Sequence, residues 1–275
     1  MFEAALDFER VAEAAAAIPE DLRSSPQYRS EGLSRVLGLE VVIKLEVFNP
    51  VGSAAGRSAE WWFESHPSLH RVVCASAGDF GVAMAHAGRV RGIEVDLFGP
   101  LTADRVTVDD LRRSGTTVQL DGHDQAEATE EARRYADVVD AQFVDDGSHV
   151  EFVEGAATLA AELGAHAVDA RSIFVSSDTL FLPVGIGLWF HQMAPRVRVV
   201  AVGVDHNNAN SIPPSIDQTV HVKAEEIAEA QRALMRYEGL SVSAAGAAPL
   251  AGAMAARATL GESKVIVVVG SRALK

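Results

Sequence analysis

Near the C-terminus stands an unbroken run of β-branched residues, Val265-Ile266-Val267-Val268-Val269, and it constrains the fold more than any other feature. Neither side of such a strand has a polar face to give to water, so the run predicts a central strand buried on both faces of a sheet. Shorter β-branched runs bounded by turn residues recur at 39–46, 70–76, 92–98, 116–120 and 197–204. Helix-period segments lie between and around them at 58–65, 81–90, 106–113, 126–135, 151–163 and 224–237. Alternation of the two periods predicts an α/β fold built on parallel sheets covered by helices.

Composition narrows the class. At 275 residues and 48% hydrophobic content the chain can bury a large core. A net charge of −14 repels phosphodiester backbones, so nucleic acid is not expected as a partner. The single cysteine, Cys74, excludes an internal disulfide and any cysteine-based zinc cluster. The nine histidines are not expected to form a metal site. His149, after Asp145-Asp146, and His206, beside Asp205, read as surface residues. The most apolar long window, 239–261, is mostly alanine with glycine and Pro249, which reads as a buried helix and not a membrane span. Acidic residues interrupt the first eighteen positions, so no secretory signal is expected and the expected location is cytoplasmic.

The segment Lys44-Leu45-Glu46-Val47-Phe48-Asn49-Pro50-Val51-Gly52-Ser53-Ala54-Ala55-Gly56-Arg57 carries the strongest motif. It resembles the K-x-E-x-x-N-P-x-G-S-x-K-[DG]-R signature of the fold-type II pyridoxal-phosphate enzymes, among them threonine synthase, threonine dehydratase and cysteine synthase. Further likenesses follow in the family's order. They are Ala75-Ser76-Ala77-Gly78-Asp79-Phe80-Gly81, the helix beginning Gly155-Ala156-Ala157-Thr158, the strand after Pro195, and Tyr237-Glu238-Gly239-Leu240 with the helix beyond it. The resemblance implies a tryptophan-synthase-β-like fold of two domains. The smaller, 69–145, is inserted into a larger one formed by 1–68 and 146–275, and the site lies in the cleft between them.

The same resemblance implies four departures. Ala55 stands where the family has the lysine that forms the Schiff base, and an alanine methyl group cannot form an imine. Of the four lysines, Lys44, Lys223, Lys264 and Lys275, none is placed at the cleft by sequence reasoning, and all read as solvent-facing. The phosphate cradle should be glycine-rich so that backbone N–H groups converge on the anion. Here one alignment puts Ser177 to Phe181 at the glycines, and another keeps Pro183-Val184-Gly185 as the loop's start. Asp79 replaces an asparagine that donates to the cofactor's phenolate oxygen. Gly270 replaces a hydroxyl residue facing the pyridine nitrogen, with Ser271 able to substitute if the register slips by one. Asp205, Ala209 and Ser211 echo the cation site of serine-racemase-like relatives, with one carboxylate replaced by serine.

These residues lead to a family homologue that does not use pyridoxal phosphate. It would be a repurposed enzyme or a ligand-binding or partner protein in an amino-acid-related or biosynthetic pathway. The alternative is a pyridoxal-phosphate-dependent lyase or synthase acting on a hydroxy- or O-activated amino acid, seen with its lysine changed to alanine. Candidate catalytic groups are Asp79, Ser76 and Arg57. Candidate ligand contacts are Ser53, Ser76, Ala77, Gly78, Asp79, Phe80, Asp178 and Ser243. The expected ligand is a small amino-acid-like molecule. A homodimer is expected, with Trp61-Trp62-Phe63 helping to bury the contact.

Overall fold

The computed structural model describes residues 6–147, 149–167, 169–204 and 213–273, with no side chain described at 165, 166 or 204. In chain order the strands are β1 (Gln27–Arg29), β2 (Glu40–Leu45), β3 (Arg71–Cys74), β4 (Glu94–Gly99) and β5 (Thr117–Leu120). They continue with β6 (Gln142–Val144), β7 (Ser172–Ser176), β8 (Arg198–Val204), β9 (Gln218–Val222) and β10 (Lys264–Val269). The helices are α1 (Phe8–Ala17), α2 (Glu31–Leu37), α3 (Ala55–Ser65), α4 (Asp79–Arg91) and α5 (Arg105–Arg113). After them come α6 (Gln125–Val139), α7 (Val150–Ala167), α8 (Phe181–Met193), α9 (Ala224–Glu238) and α10 (Ala244–Leu260).

The strands form a six-stranded sheet in the order β1-β2-β10-β7-β8-β9 and a four-stranded sheet in the order β5-β4-β3-β6. Only β1, at an edge, runs antiparallel. The run that predicted a central strand is β10, hydrogen-bonded on both sides, to β2 and to β7, with all of Val265–Val269 buried. Its alternate side chains feed two separate cores. Ile266 and Val268 join the layer of α1, α3, α7 and α8, whereas Val265, Val267 and Val269 join that of α2, α9 and α10. The apolar window expected as a buried helix is α10, whose N-terminal half is buried, Pro249 included.

Parallel strands all point their carboxyl ends to one edge, where the following loops and helix N-termini collect. The ends of β2, β10 and β7 do so in one sheet, and those of β3 and β6 in the other. Helix α3 packs on both α7 and α4, and so joins the two sheets. Phe80 of α4, Phe152 of α7 and Phe181 of α8 fill the space between them, with ring centroids 4.9, 5.5 and 5.6 Å apart. Trp61, Trp62 and Phe63 are buried inside the chain, where Trp62 stacks on His66 at 4.6 Å and Trp61 Nε1 donates to Glu154 Oε2 at 2.7 Å. The expectation that these three rings help to cover a dimer contact is corrected accordingly. His149, expected at the surface, is half-buried against the Trp62 ring, with centroids 5.5 Å apart. Asp205, His206, Ala209, Ser211 and Lys275 lie outside the described residues.

Candidate functional site

The signature loop follows β2 and enters α3. Gly52 adopts φ +73°, a left-handed conformation that glycine takes without strain. The Asn49 side chain pins the turn, accepting from the Gly52 and Ser53 amides at 2.7 and 3.3 Å and donating to the Ser53 carbonyl at 3.0 Å. The chain leaving β10 clamps it from the other side. The Ala54 amide donates to the Gly270 carbonyl and the Arg272 amide to the Gly52 carbonyl, both at 2.9 Å. This brings Ser53 opposite Ser271 and leaves Ala55, the first residue of α3, facing a small cavity.

That cavity holds about 20 Å³ and lies at the carboxyl ends of β7 and β10. Ser53, Ala55, Asp79, Asp178, Leu182, Val268 and Ser271 are among the residues that line it. Asp79 enters from the four-stranded sheet as the first residue of α4. Its carboxylate accepts hydrogen bonds from the Ser53 and Ser271 hydroxyls. Ser243, the N-cap of α10, donates to Ser271 Oγ at 2.6 Å, so it reaches the cavity through Ser271 and does not line it itself. Burial pushes the Asp79 carboxyl up to about 7, with the nearby Asp178 charge adding and the two hydroxyls opposing.

The loop between β7 and α8 is Ser177 to Leu180. Pro183, Val184 and Gly185 lie within α8, so the alignment that placed 177–181 at the cradle describes the geometry. Three of the loop's amides are already committed. Ser177 N–H donates to the Val202 carbonyl at 3.0 Å, Asp178 N–H to Ser176 Oγ at 3.2 Å, and Leu180 N–H to the Asp146 carboxylate. Asp146 arrives from the loop after β6 and supplies the negative charge that a helix N-terminus attracts. Burial raises its carboxyl to about 6, helped by Asp145 and Asp178. Asp178 opens to solvent through the cleft mouth, yet the crowded surroundings still raise its pKa. Its carboxylate makes no hydrogen bond or ion pair with any described residue.

Other expected site residues are placed elsewhere. Ser76 Oγ accepts from the Gly78 and Gly81 amides at 3.2 and 3.3 Å, closing the start of α4 on itself. A Cβ at Gly81 would lie 2.1 Å from the Ser76 carbonyl oxygen, so only glycine fits this turn. Ser76, Ala77 and Gly78 therefore sit beside the cavity without lining it. Phe80 is only 2% exposed and belongs to the aromatic packing, which corrects its expected ligand contact. Arg57 is corrected more strongly. Fully buried, its Nε and Nη2 donate to the Glu46 carboxylate at 3.0 and 2.9 Å, and its Nη1 and Nη2 to Glu162 at 2.6 and 2.9 Å. Lys44, expected in solvent, is buried in the same network, with Nζ 2.9 Å from Glu162 Oε2 and 2.8 Å from the Ser25 carbonyl. Lys223 is the N-cap of α9 and Lys264 pairs with Asp169 at 2.7 Å, so no described lysine lines the cavity.

Asp146, beside Asp178 at the start of α8, is a neighbour of the site that sequence reasoning did not select, and Asp145 precedes it. The available signal was their place immediately after a short strand, β6, that the periodicity did not reveal. Among the described residues no group of three or more His, Cys, Asp or Glu side chains is arranged to hold a metal ion. No helix among them is long and apolar enough to cross a membrane.

Solved structures of the same architecture include a pyridoxal 5'-phosphate-dependent aspartate racemase, with a TM-score of 0.86 at 21% identity over 100% of this chain and 97% of that one. Maize serine racemase gives 0.84 at 19%, over 98% and 94%. Among curated proteins, the chain is 26% identical over 207 residues to threonine dehydratase 1 biosynthetic of Solanum lycopersicum. That match covers 74% of this chain and 34% of the tomato protein, so the chain spans about a third of its length. A putative threonine dehydratase of Sinorhizobium fredii is 24% identical over 79% of this chain and 67% of its own. Residues 18–216 match the family model described as pyridoxal-phosphate dependent enzyme, and the chain belongs to that family.

Proposed function

We propose that this chain is a family member that works without pyridoxal phosphate, as a repurposed enzyme or ligand-binding protein for a small amino-acid-like molecule. One observation carries the reading. Where the family resemblance puts the phosphate, this chain presents Asp178 and Asp146, with three loop amides already bonded within the protein. A phosphate dianion needs converging donors, and two carboxylates oppose it. The residues present therefore do not fit the cofactor. Ala55, at the place of the Schiff-base lysine by the same resemblance, removes the covalent anchor as well.

Asp79 is the candidate acid or base, with Ser53 and Ser271 as its hydrogen-bond partners. We assign no catalytic part to Arg57. The two sheets are proposed to mark the two domains, 69–145 and the remainder. The cytoplasm is the proposed location. A homodimer is proposed too, with light scattering as its test.

Absorbance spectroscopy with added pyridoxal phosphate tests the reading. The purified protein is expected to show no aldimine band and no saturable binding at micromolar cofactor. A second reading, a pyridoxal-phosphate-dependent lyase carrying an inactivating alanine, is favoured by the intact Asn49–Ser53 turn and the dehydratase relatives. It predicts that Ala55→Lys gains an aldimine band and eliminates ammonia from serine or threonine. Our reading predicts neither, and a band in that variant overturns it.

A further inference from the structure

We propose that Asp79 serves the site as a base, and that Ser243, which does not line the cavity, is the positioning residue that holds it in that role. Asp79 keeps the place given to it in the cofactor-free reading, on which this assignment rests.

The direction of the hydrogen bonds around Asp79 carries the assignment. A serine hydroxyl has one proton to give and two lone pairs to accept with. An ionised carboxylate only accepts, so Ser53 and Ser271 each give their single proton to Asp79. Ser271 Oγ in turn accepts from Ser243 Oγ at 2.6 Å, and Ser243 Oγ accepts from the Gly246 amide at 3.1 Å. Ser53 Oγ accepts from the Ala55 amide at 3.2 Å. Both chains therefore run one way, from an amide in the first turn of a helix to Asp79. One starts at α10 and passes through Ser243 and Ser271, and the other starts at α3 and passes through Ser53. An amide N–H can only donate, and its occupation of a hydroxyl lone pair turns that hydroxyl's proton onward. Asp79 is itself the first residue of α4, so three helix starts, each the positive end of a dipole, act on one carboxylate. Successive aligned bonds strengthen one another. A protonated Asp79 would instead bring another donor to two oxygens that each already accept one.

The backbone fixes the relay. Ser53 bridges to Ser271 and Val242 to Arg272, and the Ser243 amide donates to the Ser271 carbonyl at 3.3 Å. A Cβ on Gly246 would lie 2.0 Å from that carbonyl oxygen, so only glycine lets the start of α10 come this close to Ser271. Asp178, from the β7–α8 loop, is the charged group that bears on Asp79. Among the described residues no lysine, arginine or histidine lines the cavity. Burial and Asp178 raise the proton affinity of Asp79 and the hydroxyl donors lower it, which leaves the carboxyl at about 7. A base of that strength is partly ionised at neutral pH and still takes a proton readily. In doing so Asp79 gains an O–H bond, and the electron pair of the broken bond stays on the ligand atom.

Carboxyl-carbon NMR titration of the protein with no added ligand tests the relay, the Asp79 resonance being assigned by its absence from Asp79→Asn. Ser243→Ala is expected to move the Asp79 midpoint up by about half a pH unit, although Ser243 does not touch it. Ser243→Gly removes the hydroxyl at little cost to the helix start, and it is expected to give the same rise if the alanine variant fails to fold. Ser243→Thr keeps the hydroxyl and is expected to keep the parent midpoint. Ser30→Ala removes the N-cap of α2, beside the amino end of β2, and is expected to lower stability without moving Asp79. An unchanged or lowered midpoint in whichever of Ser243→Ala and Ser243→Gly folds overturns the assignment, as does an equal rise in Ser243→Thr or Ser30→Ala. Failure of the cofactor-free reading shows separately, as pyridoxal phosphate binding by absorbance, and leaves this titration readable.

Discussion

Two groups of carboxylates lie on either side of the first turn of α3, and they have opposite electrostatic fates. Beneath the helix, Glu46 and Glu162 face Arg57 and Lys44, and burial's tendency to protonate Glu162 is overcome by those cations, which hold it at about 2. At the strand ends, Asp79 and Asp146 meet burial and one another's neighbours with no cation, and they rise to about 7 and about 6. Both groups are desolvated, so burial alone does not set the protonation state. The difference lies in which residue of α3 faces them: Arg57 on one side, Ala55 on the other. The first group is a finished structural element. The second is a group of crowded carboxyls with no cation among the causes of their shifts.

The largest test of this contrast removes the cation from the finished side. Arg57→Met leaves Glu46 and Glu162 with Lys44 alone, and breaking a buried pair in this way costs about 3–5 kcal/mol. Asp79→Asn, which removes a charge from the unfinished side, is expected to leave stability at pH 8 unchanged or raised. Urea unfolding of the two variants checks both signs. A loss below about 1 kcal/mol for Arg57→Met would place its network with exposed pairs, which contribute that little.

The same contrast explains what was legible in the sequence. The β10 run and the alternation of periods sufficed for the architecture, because an all-apolar strand has few ways to be buried. The signature loop was legible down to Asn49 and Gly52, whose roles are set by contacts within a few residues. Arg57 was misplaced because its partner Glu162 is 105 residues away, and the helix phase that turns it from the cleft is not readable from a motif. Asp146 was missed for the same reason, since its partner amide at Leu180 is set by the packing of α8 against α7.

Acidity separates the two groups next. Between about pH 4 and 7 the folded chain keeps protons on Asp79 and Asp146 that the unfolded chain has released. Raising pH through this window therefore lowers stability. Glu162 has the opposite sign, because its folded value lies below the ordinary 4.5, so its contribution is lost as pH falls from about 4.5 to 2. Asp79→Asn is expected to remove about 1–3 kcal/mol of the decline above pH 4, with screening at the cleft mouth keeping it below the full value of the shift. Glu162→Gln is expected to flatten the acid limb instead. Chemical denaturation at pH intervals from 3 to 8 measures both, and exchanged effects would reverse the assignment.

The smallest expected effect compares one hydroxyl on each side. Ser271 donates to Asp79 and Ser25 donates to Glu46, so each serine supports a buried carboxylate with a neutral donor. Glu46 also has Arg57 as a partner, so Ser25→Ala is expected to cost the same at pH 5 and pH 8, about 1 kcal/mol. Asp79 changes state between those values. At pH 5 it carries a proton and the lost bond is one between neutral groups. At pH 8 it is ionised with only Ser53 left to stabilise it, so Ser271→Ala is expected to cost about 1 kcal/mol more there than at pH 5. The variant should also push the Asp79 carboxyl further above its ordinary range, because a donor favouring the charged form is gone. Carboxyl carbon shifts followed by NMR during titration report that change directly. Equal costs for Ser271→Ala at both pH values would mean that Asp79 does not titrate between them, and the contrast between the two groups would fail at its central residue.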